Sequence, residues 1–362
     1  MLCVSATLWP VEMTEVVRVD RAHPDPAAIA RAAECLRRGG LVAFPTETVY
    51  GLGVHALDRA AVLRLFEAKQ RPANDPLIVH VASLDLVTGL VTGVPAVARE
   101  LASRFWPGPL TLVMRRAPDV PREVTAGLDT VAVRVPSHPV ARALLEASKL
   151  PVAAPSANLF SRPSPTRADH VLEDLDGRID MILDGGPTDV GVESTVIDLT
   201  GDIPTMLRPG AIGIEALRRV IPDVQVGTGT RAPDASAMRS PGLLSKHYAP
   251  RAPVTLYSGN EAGALDAIKQ GAQEALARGQ RVGVLATSED ADTLRDLPVA
   301  IADLGSGRDI AGVAARLYAA LRELDAQHVD VILARELESD EDLGRAIRDR
   351  LQRAAATIIR VL

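Results

Sequence analysis

Two polar segments, well separated along the chain, carry side chains that could bind a phosphate or a carboxylate. The first contains the cations Lys69 and Arg71 beside a proline turn. The second contains Ser156, Asn158 and Ser164 in a loop whose prolines disfavour a helix. Fixed cations and short hydroxyl or amide groups can hold a polyphosphate or a carboxylate without a protein nucleophile. The segments therefore predict a site that aligns anionic substrates rather than attacking them.

Arg134 and His80 are further candidates because each interrupts a short apolar run. In Val131–Val135 the valines share one strand face, so the side chain of Arg134 points from the other face. His80 faces away from the apolar residues of 77–81 in the same way. A guanidinium suits bidentate binding of a carboxylate, whereas a lone charged residue on a strand is commonly salt-bridged or solvated. The strand pattern by itself leaves both interpretations open.

Size and composition indicate a globular protein of more than one domain. A chain of 362 residues exceeds one ordinary core, and its 47% hydrophobic content contains no run long enough to cross a membrane. The two cysteines, Cys3 and Cys35, lack metal-ligand spacing, which fits a reducing cytoplasm and argues against structural zinc or a disulfide framework. A net charge of −6 counts against a dedicated nucleic-acid binder, so any RNA contact is expected to be weak and local.

Composition and pattern divide the chain into four parts. Residues 1–14 are predicted to form an N-terminal extension, with Met13 as an alternative start, and residues 15–221 form the first domain. Residues 222–252 are rich in small polar residues and predict a linker. About 30 such residues reach roughly 30 Å, enough to cross the mouth of a domain-sized cavity. Residues 253–362 form the second domain.

In the first domain, helical and extended patterns alternate. Asp25 caps a predicted helix that Gly39-Gly40 ends, and Asp58 caps a second helix that ends near Lys69. The predicted strands are 41–44, 77–81, 110–114, 131–135, 181–183 and 195–199. Mixed strand order, with several loops at one end, predicts an α/β fold with a twisted mixed sheet and a large concave cavity.

The second domain alternates strands and helices more regularly. Its predicted strands are 254–257, 281–286, 299–303, 329–333 and 357–361, and its predicted helices are 262–278, 310–326 and 342–354. This alternation favours a smaller, doubly wound parallel sheet. Neither a glycine-rich dinucleotide motif after a strand nor a Walker motif occurs, so the familiar nucleotide-binding fingerprints are absent from the sequence.

Further motifs lie before, between and after the two polar segments. They are Phe44–Gly53, Trp106–Thr111, Val133–Pro136, Glu193–Val196, Leu207–Gly210, Ser240–Gly242 and Lys246–Pro250. Together with Lys69-x-Arg71 and Ser156-x-Asn158, this ordered set resembles the YrdC-type threonylcarbamoyl-AMP synthases. That family makes the activated precursor of N6-threonylcarbamoyladenosine at position 37 of tRNA.

The resemblance implies a YrdC-like domain followed by a Rossmann-like one, and a nucleotidyltransferase activity. L-Threonine, bicarbonate or CO2, and ATP would give threonylcarbamoyl-AMP, pyrophosphate and water. Mg²⁺ is expected to arrive with ATP, without a dedicated protein metal site. The product would pass to a separate tRNA-modifying threonylcarbamoyl transferase complex.

The resemblance also implies roles for individual residues. The implied threonine contacts are Thr46, His80, Arg134, Ala154 and Ser194, and the implied ATP contacts are Arg71, Asp75, Thr130, Ser156, Ser164, Arg208 and Tyr248. The implied catalytic group comprises Lys69, Arg71, Ser156 and Asn158. Asp75 departs from the family pattern, in which this position can carry a basic residue. The segment from Ser240 to Tyr248 is expected to close over the nucleotide as a lid.

Two other functions fit parts of the sequence. YrdC-like folds can present a basic concave surface, so an RNA-binding regulatory module is one alternative, although the acidic net charge counts against it. A hydrogenase-maturation carbamoyltransferase is the other. That class expects an acylphosphatase domain and zinc-type cysteine motifs, which two isolated cysteines do not supply.

Overall fold

A computed structural model describes residues 13–227, 247–337, 339 and 342–361. Most of the predicted N-terminal extension, the central part of the predicted linker and Lys246 lie outside these residues. Thr14 already belongs to the first domain. Its buried hydroxyl donates to the Ile179 carbonyl at 2.9 Å and accepts from the Gly177 amide at 3.0 Å.

The first domain is built on a large mixed sheet flanked by helices. Its strands are β1 Glu15–Arg18, β2 Val42–Pro45, β3 Tyr50–His55, β4 Ile78–His80, β5 Leu110–Arg115, β6 Thr130–Arg134, β7 Val152–Ala153, β8 Met181–Asp184, β9 Thr195–Asp198, β10 Thr205–Arg208 and β11 Gln225–Val226. Its helices are α1 Pro26–Arg37, α2 Arg59–Lys69, α3 Ala96–Phe105, α4 Pro139–Ser148, α5 Ala168–Leu175 and α6 Ile214–Arg218. The strand order is β1-β8-β2-β3-β7-β4-β6-β5-β9-β10-β11 among the described residues. The prediction of a twisted mixed sheet is confirmed.

Helices α1 and α2 begin where the sequence predicts. The Asp25 carboxylate accepts from the amides of Ala27 and Ala28, and the Asp58 carboxylate caps α2 in the same way. These caps satisfy amides that have no partner within the helix. At the other end of α2, Gln70 adopts a left-handed conformation, with φ of 53°, which turns the chain towards the sheet immediately before Arg71.

Strands β4 and β6 bring two predicted site residues side by side. The strands are parallel neighbours, and His80 lies opposite Arg134 in their register. Val131, Val133 and Val135 pack in the main core, as predicted, while Arg134 lies on the other face. The alternation of side chains along a strand thus turns one face of the sheet into the domain core and the other into a cavity wall.

The second domain is a smaller parallel sheet with helices on both faces. Its elements are β12 Val254–Ser258, α7 Glu261–Ala277, β13 Val282–Ala286, α8 Ser288–Leu294, β14 Ala300–Asp303, α9 Ile310–Ala326, β15 Val331–Arg335, α10 Asp342–Ala354 and β16 Ala355–Arg360. The order β14-β13-β15-β12-β16 is parallel throughout. The doubly wound prediction is confirmed, with α8 as an additional short helix.

The two domains share an apolar cluster. Val49 and Val192 of the first domain pack in one cluster with Leu317 and Tyr318 of α9 and Ile347 of α10. The first sheet also extends past residue 221, the predicted end of the domain, because β11 pairs with β10. The domains are therefore joined by packing as well as by the linker.

Candidate active site

A half-open cavity lies on the face of the first sheet that carries His80 and Arg134. Nine of the residues implied by the sequence line it: Thr46, Arg71, His80, Arg134, Ala154, Ser156, Ser194, Arg208 and Tyr248. They come from segments spread over most of the chain. The fold thus collects the predicted threonine and ATP groups in one place.

One end of the cavity is built by the turn after β2 and by the ends of β4 and β6. The Thr46 hydroxyl donates to the Val49 carbonyl at 2.7 Å and lies 2.8 Å from the Thr48 hydroxyl. Arg134 donates to the Thr48 hydroxyl at 3.0 Å and to the Gly108 carbonyl at 3.2 Å. Burial lowers the pKa of His80 to about 3, so its ring is neutral near physiological pH.

Arg134 also faces a carboxylate in this structure. Its Nη2 lies 2.6 Å from Oε1 of Glu47, and both side chains are almost fully buried. The second Glu47 oxygen accepts from the Ser137 amide at 3.1 Å. Burial by itself would raise the pKa of Glu47, but Arg134 and the hydrogen bonds outweigh it and the pKa lies below its ordinary value. The guanidinium is thus held in place by a charged partner.

Ser194 and Arg208 form the corner where β9 and β10 meet. The Ser194 hydroxyl lies 2.7 Å from that of Thr111, and Arg208 donates to the hydroxyl at 3.2 Å and to the Ser194 carbonyl at 3.1 Å. The antiparallel pairing of β9 with β10 brings these residues together. Arg208 therefore orients the serine as well as adding a cation to the cavity wall.

The two polar segments meet through Lys69, although this lysine does not line the cavity. Its ammonium donates to the carbonyl of Ser156 at 2.5 Å and to that of Asn158. Burial, with Arg71 nearby, moves the pKa of Lys69 well below its ordinary value, so the free cation expected here is disfavoured. Asn158 is also buried, and its amide donates to Leu159 and Arg162 carbonyls. Lys69 and Asn158 shape the loop that presents Ser156.

Asp75 lies behind the cavity wall as a partner of Arg71. Its carboxylate is 2.9 Å from Nη2 of Arg71, and the Asp75 carbonyl accepts from Nε at 3.1 Å. Arg71 donates to the Pro76 carbonyl as well, at 2.8 Å. Asp75 thus orients Arg71, and its implied contact with ATP stays a prediction.

Thr130 and Ser164 are likewise absent from the lining. Thr130 begins β6 and pairs with Arg115 of β5, about 13 Å along the strand from Arg134. The Ser164 hydroxyl is fully buried and donates to Glu193 at 2.5 Å. Their implied ATP contacts stay predictions.

Tyr248 and His247 close the described part of the cavity. Their rings are 4.1 Å apart, and the His247 ring also meets the edge of Phe160. Burial raises the pKa of Tyr248 to about 12 and lowers that of His247 to about 3, so both are neutral. The Ala249 amide donates to the Ser161 carbonyl at 2.7 Å. This bond fixes residues 247–249, which we call the closing segment, against the second polar loop.

Glu193 is a lining residue to which sequence reasoning gave no role. Its carboxylate accepts from Ser164, from Tyr318 at 3.0 and 3.2 Å and from Arg350 at 2.8 Å. Burial would raise its pKa, but Arg350 and Arg208 lower it to about 2. One signal could have indicated Arg350: it lies three residues after Ile347 and four before Ala354, on the apolar face of α10.

Within the described ranges, three or more His, Cys, Asp or Glu side chains nowhere come together as a metal site. None of the helices in that part of the chain is long and apolar enough to span a membrane.

Comparison with known proteins identifies the class. The family model described as Telomere recombination (Sua5, YciO, YrdC) matches residues 34–210, and the model described as Threonylcarbamoyl-AMP synthase, C-terminal domain, matches residues 212–356. The fold and the site thus define a two-domain protein of the Sua5 type.

Individual relatives agree over nearly the whole chain. Threonylcarbamoyl-AMP synthase of Pyrococcus abyssi is 45% identical over 95% of this chain and 98% of its own length, and that of Bacillus subtilis is 46% identical over 96% and 97%. The solved structure of P. abyssi Sua5 complexed with L-threonine superposes with a TM-score of 0.89 at 44% identity, covering 96% of this chain and 100% of that one. The chain belongs to the threonylcarbamoyl-AMP synthase family, and the resemblance seen in the sequence is confirmed.

Proposed function

We propose that this chain condenses L-threonine, bicarbonate or CO2, and ATP into threonylcarbamoyl-AMP, releasing pyrophosphate and, when bicarbonate is the carbon source, water. The observation that carries the proposal is the single cavity lined by Arg134, His80 and Ser194 together with Arg71 and Arg208. Groups suited to an amino acid and groups suited to a triphosphate share one wall. Family membership supports the same reaction.

The carboxylate of threonine is proposed to bind Arg134. The guanidinium lines the cavity and is held by Glu47 behind it, so an incoming amino acid meets a fixed cation for its carboxylate. Thr46, the Ala154 backbone and neutral His80 and Ser194 would complete the pocket. The deprotonated amine then captures CO2 as a carbamate, which must be shielded from water.

A carbamate oxygen is proposed to attack the α-phosphorus of ATP and displace pyrophosphate. Arg71 and Arg208 would neutralise the phosphates, and Ser156 would bind from a loop held by Lys69 and Asn158. Alignment and charge neutralisation dominate such transfers, so a protein nucleophile is not required.

Mg²⁺ is proposed to enter with the phosphates of ATP. Glu193, a lining carboxylate, accepts hydrogen bonds on both oxygens and so offers no open position to a metal. The cavity residues therefore do not fit a dedicated metal cage, and the divalent cation is expected to be held by ATP and water.

The product is proposed to pass, in the cytoplasm, to a separate complex that modifies tRNA. An RNA-binding regulatory module is not favoured, because the net charge is −6 and the relatives are named as synthases.

Pyrophosphate release tests the proposal. Purified protein with ATP and Mg²⁺ is expected to release pyrophosphate only when L-threonine and bicarbonate are both present, with threonylcarbamoyl-AMP detected by mass spectrometry. Equal release with glycine, serine or no amino acid would contradict the substrate assignment. Tight binding of double-stranded RNA without turnover would instead support the regulatory module.

A further inference from the structure

The second domain reaches the cavity wall through two buried side chains, Arg350 of α10 and Tyr318 of α9. Arg350 Nε lies 2.8 Å from one oxygen of Glu193, and the Tyr318 hydroxyl lies 3.0 and 3.2 Å from its two oxygens. Both residues are fully buried. They are contacts from the second domain to a residue that lines the proposed active site.

Glu193 itself is held by three protein donors. One oxygen accepts from Ser164 at 2.5 Å, the other accepts from Arg350 at 2.8 Å, and the single hydroxyl proton of Tyr318 is shared between the two. A carboxylate with both oxygens occupied is poorly placed to take a proton from a substrate or to bind a metal. Its contribution must therefore come from holding neighbouring groups in place.

The neighbours of Glu193 are proposed substrate contacts. Ser194 follows it directly and is bonded to Arg208, while Ser164 is bonded to Glu193 itself. On the other side, the amides of Val190 and Gly191 donate to the carbonyls of Glu47 and Thr48 at 2.9 and 3.0 Å. The segment 190–194, which we call the wall segment, thus connects both ends of the cavity.

The wall segment is fitted closely to the second domain. Gly191 has φ of 76°, and a side-chain Cβ there would lie 2.3 Å from the carbonyl oxygen of Ala314 in α9. Arg350 also donates to the Pro209 carbonyl at 3.0 Å and lies 5.3 Å from the centre of the Tyr248 ring. One arginine of α10 therefore contacts the wall segment, the residue after Arg208 and the closing segment.

We propose that Arg350 and Tyr318 are positioning residues of the synthase reaction, which hold Glu193 and, through the wall segment, set the geometry of Ser164, Ser194 and Arg208. The proposal rests on the function proposed above. It gives the second domain a direct part in the geometry of the site, beyond anchoring the linker.

The charges around Glu193 indicate how a defect would show itself. Arg350 faces it from α10, Tyr318 from α9, Arg208 from β10 and Tyr248 from the closing segment, and Asp349 lies beside Arg350. Removing Arg350 leaves a buried carboxylate with fewer cations, which raises its pKa. The variant should then lose activity more steeply than the wild type as pH falls.

The experiment compares Arg350→Met and Tyr318→Phe with matched controls. Arg335→Met is the control for arginine, because Arg335 is also buried in the second domain but pairs there with Asp290 and Glu261. Tyr257→Phe is the control for tyrosine, because it removes a hydroxyl inside the second domain. Pyrophosphate release is measured against ATP and threonine concentration from about pH 5.5 to 8.5, with a thermal melt of every variant.

Arg350→Met is expected to lower kcat/KM by about tenfold or more and to add an acid limb to the pH profile. Tyr318→Phe, which keeps the ring, is expected to lower it by about threefold to tenfold. The controls should keep wild-type kinetics below their melting temperatures. If Tyr318→Phe matched Tyr257→Phe, or if Arg350→Met and Arg335→Met lost activity and stability in parallel without a pH change, the positioning role would be wrong.

If Arg350→Met fails to fold, the kinetics of Tyr318→Phe still test the positioning role. A wild-type protein that releases no threonine-dependent pyrophosphate would contradict the proposed function. Normal wild-type turnover with unaffected variants would contradict the positioning role alone.

Discussion

Arg134 and Glu47 form a buried ion pair, with 2.6 Å between Nη2 and Oε1, at the proposed threonine end of the cavity. The pair joins the end of β6 to the turn after β2. Removing one member of a buried pair is costly because the other is left as an uncompensated charge. Threonine binding and local stability are therefore linked at this point.

Arg134→Ala is expected to weaken threonine binding by about 2–4 kcal/mol, the loss for a charge-assisted contact in a partly desolvated site. ATP binding should change much less, because Arg134 is proposed to bind the threonine carboxylate and not the phosphates. Calorimetric titration with each ligand measures both affinities. Equal losses for ATP and threonine would make Arg134 a structural residue.

Lys69→Met is expected to lower the free energy of unfolding by about 1–3 kcal/mol, because the carbonyls of Ser156 and Asn158 lose their buried donor. It should also weaken ATP binding by releasing the loop that carries Ser156. Urea unfolding and ATP titration measure the two effects. Lys269→Met, on α7, is the control and should leave both unchanged; identical behaviour of the two variants would refute the role given to Lys69.

Removal of the second domain and the closing segment is expected to leave a protein that binds threonine but makes little threonylcarbamoyl-AMP. The cut belongs after Gly227, since Val224 is buried in the main core and β11 completes the first sheet. Loss of Tyr248 and of the partners of Glu193 opens the cavity to water. Tyr248→Ala in the full chain should show a milder defect.

Product formation and threonine titration test the truncation. Full synthetic activity in a well-folded 1–227 chain would remove the need for either a lid or a positioning contact from the second domain.

Stability is expected to fall as pH drops from about 6.5 towards 3. Burial lowers the pKa of His80 and His247 to about 3 and that of His138 and His170 to about 4. The unfolded chain, with histidine pKa near its ordinary value of about 6.5, then binds more protons than the folded chain across this window, and acid favours unfolding.

Urea unfolding at a series of pH values measures this dependence. His80→Gln should flatten the curve because one of the four neutral rings is removed. A free energy of unfolding that stayed constant between about pH 7 and 5 would contradict the expected burial of these rings.

Local signals in the sequence predicted much of the fold. The caps at Asp25 and Asp58 and the alternation around Arg134 depend on neighbours within a few residues, and all three are found in the structure. Strand β3 was not predicted because Gly51 and Gly53 interrupt its apolar pattern. Gly53 is required there: a Cβ would lie 2.8 Å from the Phe44 ring and from Val152.

The candidate site was predictable as a set of residues but not as a geometry. The sequence indicated a cation at Lys69, yet its role of holding a loop depends on the carbonyls of Ser156 and Asn158, far along the chain. The position of Arg350 on the apolar face of α10 suggested a buried partner, but no local pattern indicated that this partner is Glu193, 157 positions earlier.

The close fit of Gly191 to α9 has a consequence for exchanging parts between relatives. Residues 190–194 are part of the first domain in the chain, but their surface is fitted to helices of the second domain. A chimera joined in the linker would therefore place a foreign helix against this glycine and a foreign side chain beside Glu193. A chimera of two such enzymes should therefore be active only when the wall segment and helices α9 and α10 come from the same parent.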